Sequence, residues 1–277
     1  MTATTTPAAT RPEPAPRLRA GARLAEATWL PSAGAIVVLL VVWEVAALTF
    51  MSGSKAFPPV TDVVGDVLGD AEVYTRNARS TLRAVWPGWL WGNVVATVIG
   101  VLAIAIPHLE RPALHVAVAI SSLPIIALGP IFQVSLTGDA PRSALAALSV
   151  FLTTMIGAMV GLRACDRTAL DMVRAFGGGP VASLRKVRLR AALPDYFAAL
   201  RISAPAAILG GIIGEFIGGA DNGLGVALIS ARANADPARV WGLALVATLL
   251  AGAGYALIAL VGRLLSPWAP RGLDTRR

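Results

Sequence analysis

The chain has 277 residues, of which 56 % are hydrophobic and only 14 % charged, and its mean hydropathy is +0.68. Soluble domains carry about 25 % charged residues, so the composition argues against a soluble enzyme, a disordered protein and a nucleic-acid binder. The net charge is nonetheless +8, from 24 Lys and Arg against 16 Asp and Glu, and a basic excess in so apolar a chain points to a membrane.

Residues 1–31 are rich in Ala, Thr, Pro and Arg and lack the apolar core of a secretory signal. They read as a disordered basic tail. A first span is expected from Ser32 to Phe50, within a segment 32–56, and is interrupted only by Glu44. Phe57-Pro58-Pro59 then opens a stretch in which Val60, Val63, Val64, Val67 and Leu68 follow helical spacing with Asp62, Asp66 and Asp70 between them. This pattern predicts a surface helix packed by its apolar face. Five further spans are expected at about 84–106, 113–136, 143–162, 197–219 and 240–262. The third is broken by Pro124 and Pro130, and the fifth carries Arg201 at its start and Glu215 near its end. The expected fold is an all-α membrane protein with six transmembrane helices, ending in a tail at 266–277. Gly88/Gly92, Gly157/Gly161, Gly210/Gly214 and Gly214/Gly218 have the spacing that lets helices approach closely in lipid.

Six spans put both termini on one side. That side would hold 16 Lys and Arg and the opposite side 7, with 7 acids on each. The positive-inside rule therefore predicts cytoplasmic termini and a cytoplasmic loop at 163–196. The surplus charge lies inside, and the outer face is neutral.

The 163–196 loop is too long for a plain connector. A helical stretch from Asp171 ends at Gly177 to Gly179, and Pro180 suits the first turn of a second short helix. There Val181, Leu184, Val187 and Leu189 form an apolar stripe beside Arg185, Lys186, Arg188 and Arg190. Such a helix lies on a bilayer surface or docks into a partner's groove.

This loop resembles the signature of the permease subunits of binding-protein-dependent ABC importers: Glu-Ala-Ala, three residues, Gly, nine residues, an aliphatic residue, one residue, Leu-Pro. Asp171, Gly177, Val187 and Leu189 match. The two alanines are replaced by Met172 and Val173, Arg190 stands for the proline, and a second Leu-Pro follows at Leu193-Pro194. The resemblance runs from Phe57 to Leu265 and is nearest to the nitrate/sulfonate/taurine type. Leu123 to Pro130 resembles that type's Pro-x-x-Ala-x-x-Pro stretch; Gly214-Glu215, Gly218-Gly219 and Asn222 to Gly225 resemble its acidic residue and Gly-Leu-Gly.

The resemblance implies a type I importer permease domain over 57–265 that moves a small polar or organic-anion solute (nitrate, sulfonate, taurine or a thiamine precursor) into the cytoplasm. It implies an ATPase-coupling segment made of Asp171, Arg174, Ala175, Phe176, Gly177, Gly178, Pro180, Val181, Leu184, Arg185, Val187, Leu189 and Pro194. The implied partners are two cytoplasmic ATPase subunits, which carry the ATP and Mg, an extracytoplasmic solute-binding protein, and a second permease copy in a homodimer. The implied location is the bacterial inner membrane.

No P-loop, H-E-x-x-H or G-x-S-x-G is present, and the one cysteine, Cys165, makes a zinc cluster unexpected. No cofactor, metal or catalytic residue is expected on this chain. Intramembrane polar groups are costly and tend to be functional, so Glu215 is a candidate for the translocation pathway. Pro124, Pro130 and Gln133 are others, because prolines free backbone carbonyls inside a span. For Glu44 the expected role is a hydrogen bond to a neighbouring helix. A stand-alone secondary transporter or channel is the alternative, but the chain lacks the internal repeat such a protein would show.

Overall fold

A computed structural model describes residues 29–50, 56–106 and 108–268. The tail at 1–28 and the last nine residues of the C-terminal tail lie outside the described residues. The chain divides into two compact units, residues 1–60 and 61–277.

The first unit contains α1 (Trp29–Thr49). The indole of Trp43 lies against Phe57, with ring centroids 5.5 Å apart, and its N–H donates to the carbonyl of Pro58 at 3.0 Å. Glu44 accepts the backbone N–H of Val60 at 2.6 Å. Glu44 thus satisfies one of the free donors at the start of the next helix.

That helix is α2 (Val60–Gly69), followed in the second unit by α3 (Ala71–Ala105), α4 (Glu110–Ser122), α5 (Ile125–Ser135) and α6 (Ala140–Arg163). After α6 come α7 (Arg167–Ala175), α8 (Pro180–Ser183), a π-helical turn (Leu184–Arg188), α9 (Leu189–Ile217), α10 (Leu224–Ala233) and α11 (Pro237–Leu265). No strand occurs among the described residues.

Among the described residues four helices are long and apolar enough to cross a membrane, α3, α6, α11 and the continuous run Pro180–Ile217, or five with the bent α4–α5 pair, against six spans expected; the described part of α1 falls short of that length. Three boundaries differ from the sequence expectation. The surface helix ends at Gly69, and the second span, expected from about 84, belongs to the long helix α3 that begins at Ala71. The third span is two helices that meet at 89° at Leu123-Pro124. Proline disfavours helical geometry in the residue before it, and Leu123 is extended with ψ 129°. The fifth span begins far earlier than Phe197, because α8, the π turn and α9 run on without a break through Pro194.

Small residues set the packing. Along α6 and α9, Gly157 meets Ala199, Gly161 meets Ala192, Gly210 meets Leu145 and Ser149, and Gly214 meets Arg142, so the two helices are antiparallel. Gly88 and Gly92 of α3 press on Ser143 and Ala147, and Gly100 on Met155, so α3 and α6 are parallel. Gly254 and Gly262 of α11 meet Ala204 and Phe197, which makes α11 antiparallel to α9. At most of these contacts a Cβ would collide with the neighbouring backbone or side chain. Gly218 of the fourth predicted pair instead leaves the helix with φ +113°. The bent α4–α5 pair carries the chain from the end of α3 back to the start of α6, as the expected alternation of spans requires.

Candidate functional site

Two polar regions occupy opposite ends of the run Pro180–Ile217. At its C-terminal end the glycines Gly218, Gly219 and Gly223 adopt positive φ and turn the chain back on itself. Glu215, 1 % exposed, holds this turn. Its carboxylate accepts from Thr81 Oγ1 at 2.8 Å, from Arg142 Nη1 at 3.1 Å and from the N–H of Gly225 at 2.7 Å. Arg142, 6 % exposed, also donates to the carbonyl of Asn222 at 3.0 Å and pairs with Asp139. Thr81 accepts the N–H of Leu224 at 2.9 Å, and Asn77 accepts that of Gly223 at 3.0 Å. Gln133 donates to the carbonyl of Gly218. Side chains from α3, α5, α6 and α9 thus tie down one glycine turn. Nothing larger than glycine fits at Gly223 or Gly225, because a Cβ there would enter the Glu215 side chain.

Of the four predicted pathway residues, Gln133 and Glu215 therefore meet around this turn. Pro124 stands apart at the break between α4 and α5, and Pro130 is an exposed residue inside α5. Nearby, α2, α3 and α11 are clasped by a second cluster. Asp66 accepts from the hydroxyl of Tyr74 and from Arg239, whose Nη2 lies 3.0 Å away, and Arg239 also pairs with Asp70. Burial alone would raise the Asp66 carboxyl, but the hydrogen bonds from Arg239 and Tyr74 outweigh it and hold the group below its ordinary value.

At the other end, Asp166 caps α7 by accepting the N–H of Thr168 at 3.0 Å. The helix closes in a Schellman motif: the N–H of Gly178 bonds to Val173 at 2.8 Å and that of Gly177 to Arg174 at 2.9 Å. The motif needs a left-handed residue, and Gly177 supplies it with φ +77°. Pro180 then starts α8 in its first turn. The predicted coupling residues are brought together here, but their apolar face is not a simple stripe. Phe176 and Val181 are 86 % and 77 % exposed, joined by Met172 at 63 %, whereas Leu184 and Val187 are half-buried. The π turn explains the difference, since its i→i+5 bonding, seen from Leu189 to Leu184, rotates residues away from a 3.6-residue repeat. Met172 was missed because it replaces an alanine of the motif. Asp171 pairs with Arg174 at 3.1 Å, Arg185 and Leu189 are exposed, and Ala175 ends α7. Pro194 lies inside α9. Among the described residues no group of His, Cys, Asp and Glu could hold a metal ion.

Arg201, expected at the start of the fifth span, lies inside α9, exposed, with its guanidinium 5.9 Å from the ring centre of Tyr255 on α11.

The family described as binding-protein-dependent transport system inner membrane component matches residues 92–269. The chain is 24 % identical to the formylaminopyrimidine transport permease protein ThiX of Halalkalibacterium halodurans, over 84 % of this chain and 93 % of that one. It is 26 % identical to the putative aliphatic sulfonates transport permease protein SsuC of Bacillus subtilis, over 85 % and 82 %. Among solved structures, the inward-facing MetNI methionine ABC transporter shares its fold with a TM-score of 0.53 at 21 % identity, over 69 % of this chain and 97 % of that one.

Proposed function

The chain belongs to the family of inner membrane components of binding-protein-dependent transport systems, and from that premise we propose that it is the permease half of an ATP-driven importer whose α7–α8 turn docks on a cytoplasmic ATPase. The observation that carries this reading is the pair Phe176 and Val181, large apolar side chains left exposed on a turn fixed by the Schellman motif. An exposed apolar pair on a rigid support is what a groove on a partner would take. The basic residues Arg185, Lys186 and Arg190 beside it suit carboxylates on such a partner. The partner ATPase would bind ATP and Mg, two copies would serve a permease homodimer, and an extracytoplasmic binding protein would deliver the solute. On this reading the α7–α8 end faces the cytoplasm and the Glu215 end the outside, in keeping with the charge asymmetry. The solute class is that of small polar or anionic organic molecules, supported by relatives named for formylaminopyrimidine and aliphatic sulfonate transport.

The test is co-purification with the candidate ATPase and solute uptake in proteoliposomes. Gly177→Asp and Val181→Glu are expected to abolish both while leaving thermal stability in detergent unchanged for Val181→Glu. Survival of complex and uptake in both variants would overturn the proposal.

A further inference from the structure

Resting on the transport reading above, we propose that the cavity beside the glycine turn is an entry site that binds the oxyanion group of the solute. The cavity has a volume of about 590 Å³, within the range of small-molecule sites, about 300–1,000 Å³. One wall is α3, which contributes Arg76, Arg79 and Arg83. At 3.6 residues per turn these positions fall within about 60° of one another around the helix, so their guanidinium groups form a row. The facing walls are Asp139 and Arg142 at the start of α6 and the turn from Gly219 to Asn222. Ser80 donates to the carbonyl of Asn222 at 2.8 Å, and Arg142 donates to the same oxygen at 3.0 Å, which fixes α3 and the turn against α6. Walls that carry charge on every side border water, since such groups are costly against lipid tails.

The row lacks the partners its charge calls for. Among the described residues Arg76, Arg79 and Arg83 are exposed and form no ion pair. Glu72 and Asp221 border the same cavity, yet neither carboxylate comes within 4.0 Å of these arginines. Asp139 is taken by Arg142. Like charges at i,i+3 and i,i+4 repel, and a bound anion relieves that repulsion. A second, independent deficit lies in the opposite wall. Arg142 is 6 % exposed, and its Nε is a buried donor with no hydrogen-bond partner among the described residues. Buried donors are ordinarily paired, and an orphan marks a place for water or an ion. The turn adds further donors, because the backbone N–H groups from Gly219 to Asn222 find no acceptor among the described residues, and turn amides of this kind suit anions. Guanidinium forks match the planar or tripodal oxygens of carboxylates and sulfonates. The recess favours a small solute over the acidic surface of a partner protein, because its donors converge on one space from three walls.

The experiment uses the full chain in neutral detergent, with Cys165→Ser and Thr75→Cys as the reporter; Thr75 is exposed on the α3 wall of the cavity. The readout is the rate at which the uncharged reagent methyl methanethiosulfonate modifies the reporter, at constant ionic strength. Methanesulfonate is expected to slow the reaction saturably, and its neutral isostere methanesulfonamide to leave it unchanged. Arg79→Gln is expected to raise the half-protecting concentration about tenfold, as for the loss of one hydrogen bond to a charged group. Arg232→Gln, outside the cavity, is expected to leave it unchanged. Equal protection by both compounds, or by neither, would overturn the proposal. So would protection only by the candidate solute-binding protein or only by phosphatidylglycerol vesicles, which would assign the row to protein acids or to lipid headgroups. An unaltered half-protecting concentration in Arg79→Gln would overturn it too. The comparison of the two compounds needs no arginine variant, so the test stands if Arg79→Gln fails to fold. No ATPase is present, so a failure of the coupling reading registers separately, in co-purification.

Discussion

At one end of the run Pro180–Ile217, Glu215 is 1 % exposed and receives three hydrogen bonds; at the other, Phe176 and Val181 stand 86 % and 77 % exposed beside an ion pair whose members are each about two-thirds exposed. The first end satisfies its polar groups internally except for the buried Nε of Arg142, so a change there falls on the fold. The second leaves apolar surface and charges open on a turn made rigid by backbone bonds, so a change there falls on whatever docks. A residue's family resemblance does not separate these roles, because Glu215 and Gly177 both match motif positions. Their surroundings do.

The sharpest way to break the comparison is Glu215→Ala. It leaves Arg142 buried with only Asp139 as a charged partner, and stranding a buried charge costs about 3–5 kcal/mol. A large drop in thermal midpoint in detergent is expected, with solute uptake lost in proportion to folded protein. If stability holds and uptake alone falls, Glu215 acts in the pathway and not as a clasp. Next in size is Gly157→Leu. The side chain would enter Ala199 across the α6–α9 contact, and overpacking of this kind costs about 1–3 kcal/mol. The measurement is the same thermal midpoint, and no loss would mean that the two helices part more easily than their close contacts imply.

Much of this contrast was legible in the residues. The glycine stop at Gly177 and the helix start at Pro180 follow from local chemistry, and both stand as read. The close-packing glycines were visible as spacing, though which helix each met was not. Glu215 was visible as an acid in a span, but its partners Thr81 and Arg142 lie 134 and 73 positions away in sequence, and only tertiary structure joins them. The exposed apolar face was misjudged for a local reason: a π turn changes the helical phase, and nothing in Leu184 to Arg188 announces it. The helix that carries Arg201 was expected from about Phe197, yet it begins at Leu189 and runs through Pro194.

Acidification separates the two ends in the same direction but more gently. Asp66 has its carboxyl lowered in the folded state, so its contribution is full above the unfolded value near 3.8 and is lost as pH falls through the lower folded value. The thermal midpoint is therefore expected to decline below about pH 4, and Asp66→Asn is expected to flatten that part of the profile while lowering stability at neutral pH. A profile unchanged by Asp66→Asn would show that the clasp of α2, α3 and α11 does not depend on this charge.

The smallest effect is expected from Asp171→Ala. Its pair with Arg174 is exposed on both sides, at 70 % and 67 %, and pairs of this kind are worth about 0–1 kcal/mol because water and salt screen them. The thermal midpoint is expected to be unchanged within error, and raised salt to make no further difference. Any loss is expected instead in ATPase co-purification, since Asp171 lies on α7 five residues before the exposed Phe176. A marked loss of stability with normal docking would reverse the assignment, making Asp171 part of what holds the turn together and leaving Phe176 and Val181 to carry the contact alone.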